Sequence, residues 1–285
     1  MLGDEPYQEA YAAVLARWPE GTTTRDVGGP MGTTRVTVCG PADAPPIVLL
    51  SGGGATGLVW FALAEHLAAA DLTTAFRLYA LDLIDDPGGS TLIPRRMAGP
   101  DVVVGWLDGV LDRLGLATTT VMGHSYGGWI ALRYALDRPA RVDRMVLLDP
   151  SDCVSRPRPA YVLRALPLIL RARRSNVEAL LRWETSGELP DAQWRELFIR
   201  GATDFPAARI VVPRRPKPEQ LAGLAPPTLV LSAMVGRALD AGRLAEGFAA
   251  VPAATVQDIP GASHHGMPLR SATEVAGRTS EFLGA

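Results

Sequence analysis

The 285-residue sequence contains few cysteines, a single lysine and no large excess of charge. Cys39 and Cys153 are its only cysteines, too few and too far apart in sequence for a disulfide framework or a Cys-x-x-Cys metal site. We expect both thiols to be reduced and buried. The formal net charge of −2 gives no electrostatic reason to expect nucleic acid or an anionic membrane as a partner. The composition therefore points to a globular protein that acts on small molecules.

Long apolar segments are also missing. No run approaches the roughly 18 consecutive apolar residues that a membrane-spanning helix requires. The first residues, MLGDEPYQE, are acidic, whereas a secretory signal begins with basic residues. These features predict a cytoplasmic protein with no membrane partner.

From about residue 33 onward, short apolar segments alternate with helix-length segments. This order is typical of parallel strands that are joined by crossover helices. It predicts an α/β fold with a doubly wound, mostly parallel sheet of about eight strands. The predicted strands cover residues 33–40, 46–51, 76–84, 118–124, 144–150, 227–234 and 254–260. The predicted helices cover residues 59–70, 100–115, 126–137, 241–250 and 271–283.

The alternation stops at about residue 154 and resumes at about residue 225. The segment 154–224 has a helical period and no buried strand, so we expect a helical lid insertion in a core formed by 1–153 and 225–285. Residues 154–222 carry thirteen basic and seven acidic side chains. A solvent-exposed helical surface explains this bias. A lid that attracts an anionic substrate or a carrier phosphate is the alternative explanation.

One serine stands on a sharp turn between a predicted strand and a predicted helix. The residues Gly123-His124-Ser125-Tyr126-Gly127 match the pattern G-x-S-x-G. Such a turn needs glycine on both sides of the serine, because larger side chains would clash. It lifts the hydroxyl to a helix N-terminus, where backbone N–H groups favour negative charge. We predict that Ser125 is a nucleophile, and a purely structural turn is the alternative.

With these motifs in this order, the sequence resembles the α/β-hydrolase fold family over roughly residues 33–283. The resemblance rests on the Ser125 turn and on LLSGGGATG (49–57), YALDLIDDPGGS (79–90), RVDRMVLLDP (141–150) and IPGASHHGMP (259–268). It implies that no metal or organic cofactor is needed. It also implies an oxyanion hole formed by the backbone N–H groups of Gly53 and Tyr126. Ser51 stands where the family usually has a histidine.

The general base must be one of four histidines. His66 lies in a predicted helix and His124 lies inside the serine turn, and we interpret both as structural. The resemblance places His264 in the family's closing motif, PGASH (260–264), which makes it the predicted base. His265, the next residue, is the alternative.

The acid that orients the base is missing from its usual place. In most of the family it follows the strand written here PTLVLSAM (227–234), and this sequence has Gly236 there. We predict Asp149 instead, because some branches of the family, certain haloalkane dehalogenases among them, place the acid at that strand end. Asp152 lies close behind, and Asp240 is more easily explained as a helix N-cap. A serine–histidine dyad without a carboxylate is a further alternative.

The predicted activity is hydrolysis of a small-molecule carboxylic ester or thioester through an acyl-enzyme on Ser125. A serine on the turn argues against epoxide hydrolase or dehalogenase chemistry, because the family members with those activities use a carboxylate nucleophile. Trp60, Phe61 and YVLRALPLIL (161–170) are expected to line an apolar pocket or to belong to the core. The missing acid motivates a rival function: a cyclase, lyase or acyl transferase, or an inactive binding homologue.

Overall fold

A sheet of nine strands carries helices on both faces in this computed structural model, which describes residues 4–68, 75–93, 99–205 and 211–284. The strands are β1 (Thr23–Gly29), β2 (Gly32–Cys39), β3 (Pro46–Leu50), β4 (Arg77–Leu81), β5 (Thr91–Leu92), β6 (Thr119–His124), β7 (Val142–Leu148), β8 (Thr228–Ala233) and β9 (Ala254–Ile259). The helices are α1 (Glu5–Leu15), α2 (Phe61–Leu67), α3 (Pro100–Leu114), α4 (Tyr126–Asp137), α5 (Pro159–Leu170), α6 (Arg174–Glu184), α7 (Ala192–Asp204), α8 (Pro218–Ala222), α9 (Ala241–Ala249) and α10 (Ala272–Leu283).

The strand order is β1-β2-β4-β3-β6-β7-β8-β9, with β5 paired to β2. Strands β4, β3, β6, β7, β8 and β9 run parallel to one another in that order. Strand β2 is antiparallel to β1, β4 and β5 at one edge of the sheet. The prediction of a doubly wound, mostly parallel sheet is confirmed, with nine strands in place of about eight. The carboxyl ends of the parallel strands meet at one edge of the sheet, which is where ligands bind in such folds.

Alternate residues of the central strands face two separate cores. In β3, Ile47 and Leu49 belong to one core, and Val48 and Leu50 belong to the other. All four side chains are fully buried. Helices α2 and α10 cover the first face, and helices α3, α4 and α9 cover the second. Strands that are buried on both faces read as continuous apolar runs, which is why they could be predicted.

The structure differs from the predicted elements at several points. Strand β1, with the sequence TTRDVGG, is mostly exposed and lacks the apolar alternation that marks a strand. Strand β4 ends at Leu81, and the side chain of the next residue, Asp82, accepts hydrogen bonds from loop N–H groups of Gly57 and Gly89. In place of the helix predicted over 59–70, the structure has a 3₁₀ turn followed by α2. Residues 69 and 70 of the predicted helix lie outside the described ranges.

Between β7 and β8 the described residues form the four helices α5 to α8 and no strand. This segment also meets the N-terminal helix, since α1 packs against α7 and Arg17 pairs with Asp191 at 2.9 Å. Whether the segment acts as a lid stays a prediction. In the parts of the chain listed above as described, no helix combines the length and the apolar character needed to cross a bilayer.

Candidate active site

The turn between β6 and α4 holds Ser125 in a strained conformation, with φ +52° and ψ −115°. A Cβ atom added at Gly123 would lie 2.3 Å from the Gly127 carbonyl oxygen. One added at Gly127 would lie 2.2 Å from the carbonyl oxygen of Leu50. Both positions therefore accept only glycine. The Ser125 N–H donates to the Leu148 carbonyl at 3.0 Å, which fixes the turn to the end of β7.

Three of the predicted site residues lie in one hydrogen-bonded chain. The Nε2 atom of His264 lies 2.9 Å from the Ser125 hydroxyl, and its Nδ1 atom lies 2.6 Å from Oδ2 of Asp149. A carboxylate can only accept, so Nδ1 carries the proton and Nε2 presents its lone pair to the serine. Asp149 and His264 are both almost fully buried, which strengthens the electrostatic interaction between them.

Two opposing effects act on the pKa of His264. Burial alone would lower it, but the hydrogen bond that His264 donates to Asp149, the charge of Asp149 and the charge of Glu184 together raise the pKa above its ordinary value. The surroundings therefore favour the protonated imidazolium. That is the state which a base reaches once it has taken a proton.

The other candidate acids lie elsewhere. The Asp240 carboxylate caps helix α9 by accepting from the Arg243 N–H at 3.1 Å, as its sequence position suggested, and it pairs with Arg158. Asp152 is half-buried, and burial raises its pKa despite two nearby arginines. At Gly236, a Cβ atom would lie 3.1 Å from the backbone nitrogen of His264. The histidine loop thus occupies the space next to the family's usual acid position.

The glycine loop after β3 passes directly beside the serine. A Cβ atom at Gly52 would lie 3.3 Å from the Cβ of Ser125. The Gly54 N–H donates to Asp86 at 2.8 Å, and burial is the main cause that raises the pKa of this carboxyl to about 7. Gly53 lines the cavity in front of the serine. Tyr126 is the first residue of α4, where the N–H has no acceptor within the helix.

The hydroxyl of Ser51 takes over the anchoring of this loop where the family usually has a histidine. It donates to the carbonyl oxygen of Ala55, and the Ala55 N–H returns a bond to Gly52 at 3.1 Å. These two hydrogen bonds between residues 51–52 and residue 55 hold the loop in a tight turn.

The remaining histidines have distinct surroundings. Nε2 of His124 lies 2.9 Å from the backbone carbonyl of His264 and donates to it. Burial first, then the charges of His264 and His265, lower the pKa of His124 well below its ordinary value, so this ring is neutral. His66 is exposed and lies 3.0 Å from the Thr273 hydroxyl. His124 thus contacts the backbone of His264, and His66 is hydrogen-bonded to Thr273 instead.

Sequence reasoning missed Glu184, the last residue of α6. Its carboxylate is fully buried and accepts from the backbone N–H groups of His264 at 2.8 Å and His265 at 3.1 Å. Burial would raise its pKa, but the hydrogen bond and charge of His265 and the charge of His264 lower it to about 2. A signal was present: Val177, Leu181 and Glu184 are spaced four and three apart, which places all three on one buried helix face.

A small cavity of about 50 Å³ opens in front of Ser125. Its apolar lining comes from Val59, Tyr161, Trp194 and Phe198. No arginine or lysine is among the described lining residues, and the described residues contain no cluster of side chains suited to a metal ion.

Trp60, Phe61 and the segment YVLRALPLIL were expected to line an apolar pocket or to belong to the core, and their positions differ. Trp60 and Phe61 are buried in the core. From the segment YVLRALPLIL, Tyr161 lines the cavity. Four apolar side chains of this segment are exposed to solvent: Val162, Leu163, Leu166 and Leu170.

The chain belongs to the alpha/beta hydrolase family, whose model matches residues 47–278. The resemblance inferred from the motifs is confirmed. Two carboxylesterases of Bacillus subtilis (strain 168) are each 32% identical to the chain: the uncharacterized carboxylesterase nap over 147 residues and carboxylesterase YbfK over 146 residues. These matches cover 51% of the chain and 47% of each relative, so the chain spans about half the length of the relatives that it matches.

Solved structures are similar over almost the whole chain. The structure of carboxylesterase CesB (YbfK) from Bacillus subtilis is 23% identical and has a TM-score of 0.88, with 97% of this chain and 96% of that one covered. The structure of naproxen esterase from Bacillus subtilis is 25% identical and has a TM-score of 0.86, with 98% and 99% covered. Both support the α/β-hydrolase fold.

The contacts of the serine turn make a prediction about two helical glycines. Gly127→Ala should destabilise the protein by about 3 kcal/mol or more, because the new methyl group overlaps the backbone of β3. Gly105→Ala, in α3, is the matched control: no atom lies within 4 Å of a Cβ there, so a gain of about 0.5 to 1 kcal/mol is expected. Urea unfolding of both variants measures the difference, and equal stabilities would contradict the packing described for the turn.

Proposed function

We propose that the protein is a serine-dependent hydrolase of carboxylic esters that forms an acyl-enzyme on Ser125. The observation that carries this proposal is the buried hydrogen-bonded chain from Ser125 through His264 to Asp149. The carboxylesterase relatives support the same reaction class. A thioester fits the same chemistry, because the attacked group is again an acyl carbonyl.

In the first half-reaction, Ser125 Oγ attacks the carbonyl carbon of the ester while its proton moves to Nε2 of His264. The electron pair of the carbonyl bond moves onto oxygen, and the N–H groups of Gly53 and Tyr126 donate hydrogen bonds to the negative charge that develops there. The tetrahedral intermediate then collapses. The bond to the leaving oxygen breaks, His264 returns the proton to that oxygen, and the acyl group stays on Ser125.

In the second half-reaction, water takes the place of the alcohol. His264 removes a proton from the water as its oxygen attacks the acyl carbon, and the same donors hold the oxyanion. Collapse releases the carboxylic acid and returns the proton to Ser125. Asp149 keeps the ring of His264 in the required tautomer through both steps and stabilises its positive charge.

The shape of the site limits the substrate. A cavity of about 50 Å³ admits a short apolar acyl group, whereas pockets for drug-sized ligands measure roughly 300 to 1,000 Å³. Larger substrates therefore require helix α5 to move, since Tyr161 on this helix covers the two adjacent histidines. We propose α5 as the mobile part of the lid. An anionic or carrier-linked substrate stays a prediction from the basic charge of the insertion.

The rival function, a non-hydrolytic enzyme or an inactive homologue, was motivated by the missing acid at Gly236. The contact between Asp149 and His264 weakens that motivation, because a carboxylate reaches the base from another strand end. Ester hydrolysis is therefore the function that the geometry supports best.

The nucleophile is tested by covalent labelling. A p-nitrophenyl alkyl phosphonate should add one phosphonyl group to the wild-type protein, on the peptide that contains Ser125, because the reagent mimics the tetrahedral intermediate. Intact-mass and peptide mass spectrometry measure the adduct. Ser125→Ala should stay unlabelled. Absence of any adduct on the folded wild type at high reagent, or an adduct on the neighbouring Ser151, 3.1 Å away, would contradict the assignment.

The acid is tested by a matched pair of substitutions. Asp149→Asn should lower kcat for a p-nitrophenyl ester by at least about tenfold, which corresponds to about 1.4 kcal/mol of barrier, because the imidazolium loses its carboxylate partner. Asp240→Asn should leave kcat within about twofold, because asparagine also caps a helix. Steady-state kinetics measure both. Equal activities in the two variants would favour a dyad.

A further inference from the structure

A second carboxylate reaches the base from the helical insertion. Glu184 ends α6, eighty residues before His264 in the chain, and its side chain is fully buried. Within the described part of the chain, none of its hydrogen bonds reaches Ser125, and the chemistry described above does not use it. Its carboxylate nevertheless places a negative charge against the backbone of the loop that contains His264 and His265.

Four N–H donors surround this carboxylate. Oε1 accepts from the backbone of His264 at 2.8 Å and of Arg237 at 3.3 Å. Oε2 accepts from the backbone of His265 at 3.1 Å and from its ring Nδ1 at 3.0 Å. The carboxylate thus ties the histidine loop to the loop that contains Gly236. In most of the family that second loop supplies the acid.

Burying an ionised carboxylate is costly unless its hydrogen bonds and nearby charges compensate. Here the four donors satisfy its oxygens, and two histidines lie beside it. A glutamine amide would turn its NH₂ donor towards two of these N–H groups, and an apolar side chain would leave all four without an acceptor, so only a carboxylate satisfies them. Its charge has a further use at the ring of His264.

That use is suggested by the groups facing the His264 ring. They are Asp149 and Ser125, which are hydrogen-bonded to it, and His124, His265 and Tyr161, whose ring centroids lie 4.8, 5.2 and 6.2 Å away. His124 is held neutral by burial and by the neighbouring histidine charges, which lower its pKa. Besides Asp149, the charge of Glu184 also raises the pKa of His264.

We propose that Glu184 is a positioning residue for the base: from the insertion it fixes the loop of His264 and stabilises the imidazolium as a second carboxylate beside Asp149. This inference rests on the proposed esterase function. It also assigns different roles to two helices of the insertion. Helix α6 is anchored in the active site through Glu184, and α5 is left to open and close.

The proposal predicts a shift in the titration of His264. In Glu184→Gln the ring should lose part of its electrostatic support, so its pKa should fall by about half a pH unit or more. Ring ¹⁵N nuclear magnetic resonance measures this directly and requires no substrate. The sequence has only four histidines, which makes assignment by substitution practical. The acidic limb of kcat/KM should move to lower pH by the same amount, because the base must be neutral to accept a proton.

Glu188→Gln is the matched control. Glu188 belongs to the same insertion but is exposed, and it pairs with Arg270 at 2.9 Å on the surface. Its loss should leave both the His264 pKa and kcat unchanged. A structural role alone would lower kcat in Glu184→Gln without moving the titration of His264, and that result would overturn the proposal.

Glu184→Asp separates charge from position. It keeps the negative charge but withdraws it by one methylene, so kcat should fall about ten- to hundredfold at nearly unchanged KM while the titration stays close to wild type. If Glu184→Gln is too unstable to titrate, the kcat of Glu184→Asp tests the proposal instead. An unchanged kcat in Glu184→Asp would overturn it. Failure of the wild type to hydrolyse any ester would contradict the proposed function instead, and the resonance titration would still test Glu184.

Discussion

The 2.6 Å hydrogen bond between Asp149 and His264 is the contact on which the proposed site depends. It joins the end of β7 to the loop after β9, two elements separated by 115 residues in the chain. Because both partners are buried, the bond fixes the ring orientation and so the direction in which Nε2 points at Ser125. Strands β6 and β7 are parallel neighbours, so the serine turn and Asp149 lie side by side at the same edge of the sheet.

Several residues at this edge of the sheet have a strained backbone conformation. Ser125, Asp149 and Asp152 all have positive φ, a conformation that costs residues other than glycine of order 1 kcal/mol or more. The flanking backbone bonds hold them there, including that from the Asp149 N–H to the Leu231 carbonyl at 2.8 Å. Two buried carboxylates are held in the same region. Glu184, at the end of α6, and Asp149, after β7, both contact His264, and each also accepts a hydrogen bond from a backbone N–H group.

The features that could be predicted from the sequence are those that a local residue pattern determines. Buried parallel strands appear as apolar runs, and the serine turn appears as glycines at fixed spacing, so the fold family and the candidate nucleophile could be read directly. Strand β1 could not, since its side chains are polar and it is defined by pairing with β2. The choice among three aspartates stayed open because it depends on which backbone fills the space at Gly236. Glu184 was overlooked because its partner lies eighty residues away.

The most direct test of the central claim is to trap the covalent intermediate. The protein is mixed with a p-nitrophenyl ester, quenched in acid during turnover, and examined by intact-mass and peptide mass spectrometry. The account predicts a species heavier by the acyl group, with the added mass on the peptide that contains Ser125, and its absence in Ser125→Ala. Turnover of the ester without any acylated species in the wild type, combined with undiminished activity of Ser125→Ala, would contradict it.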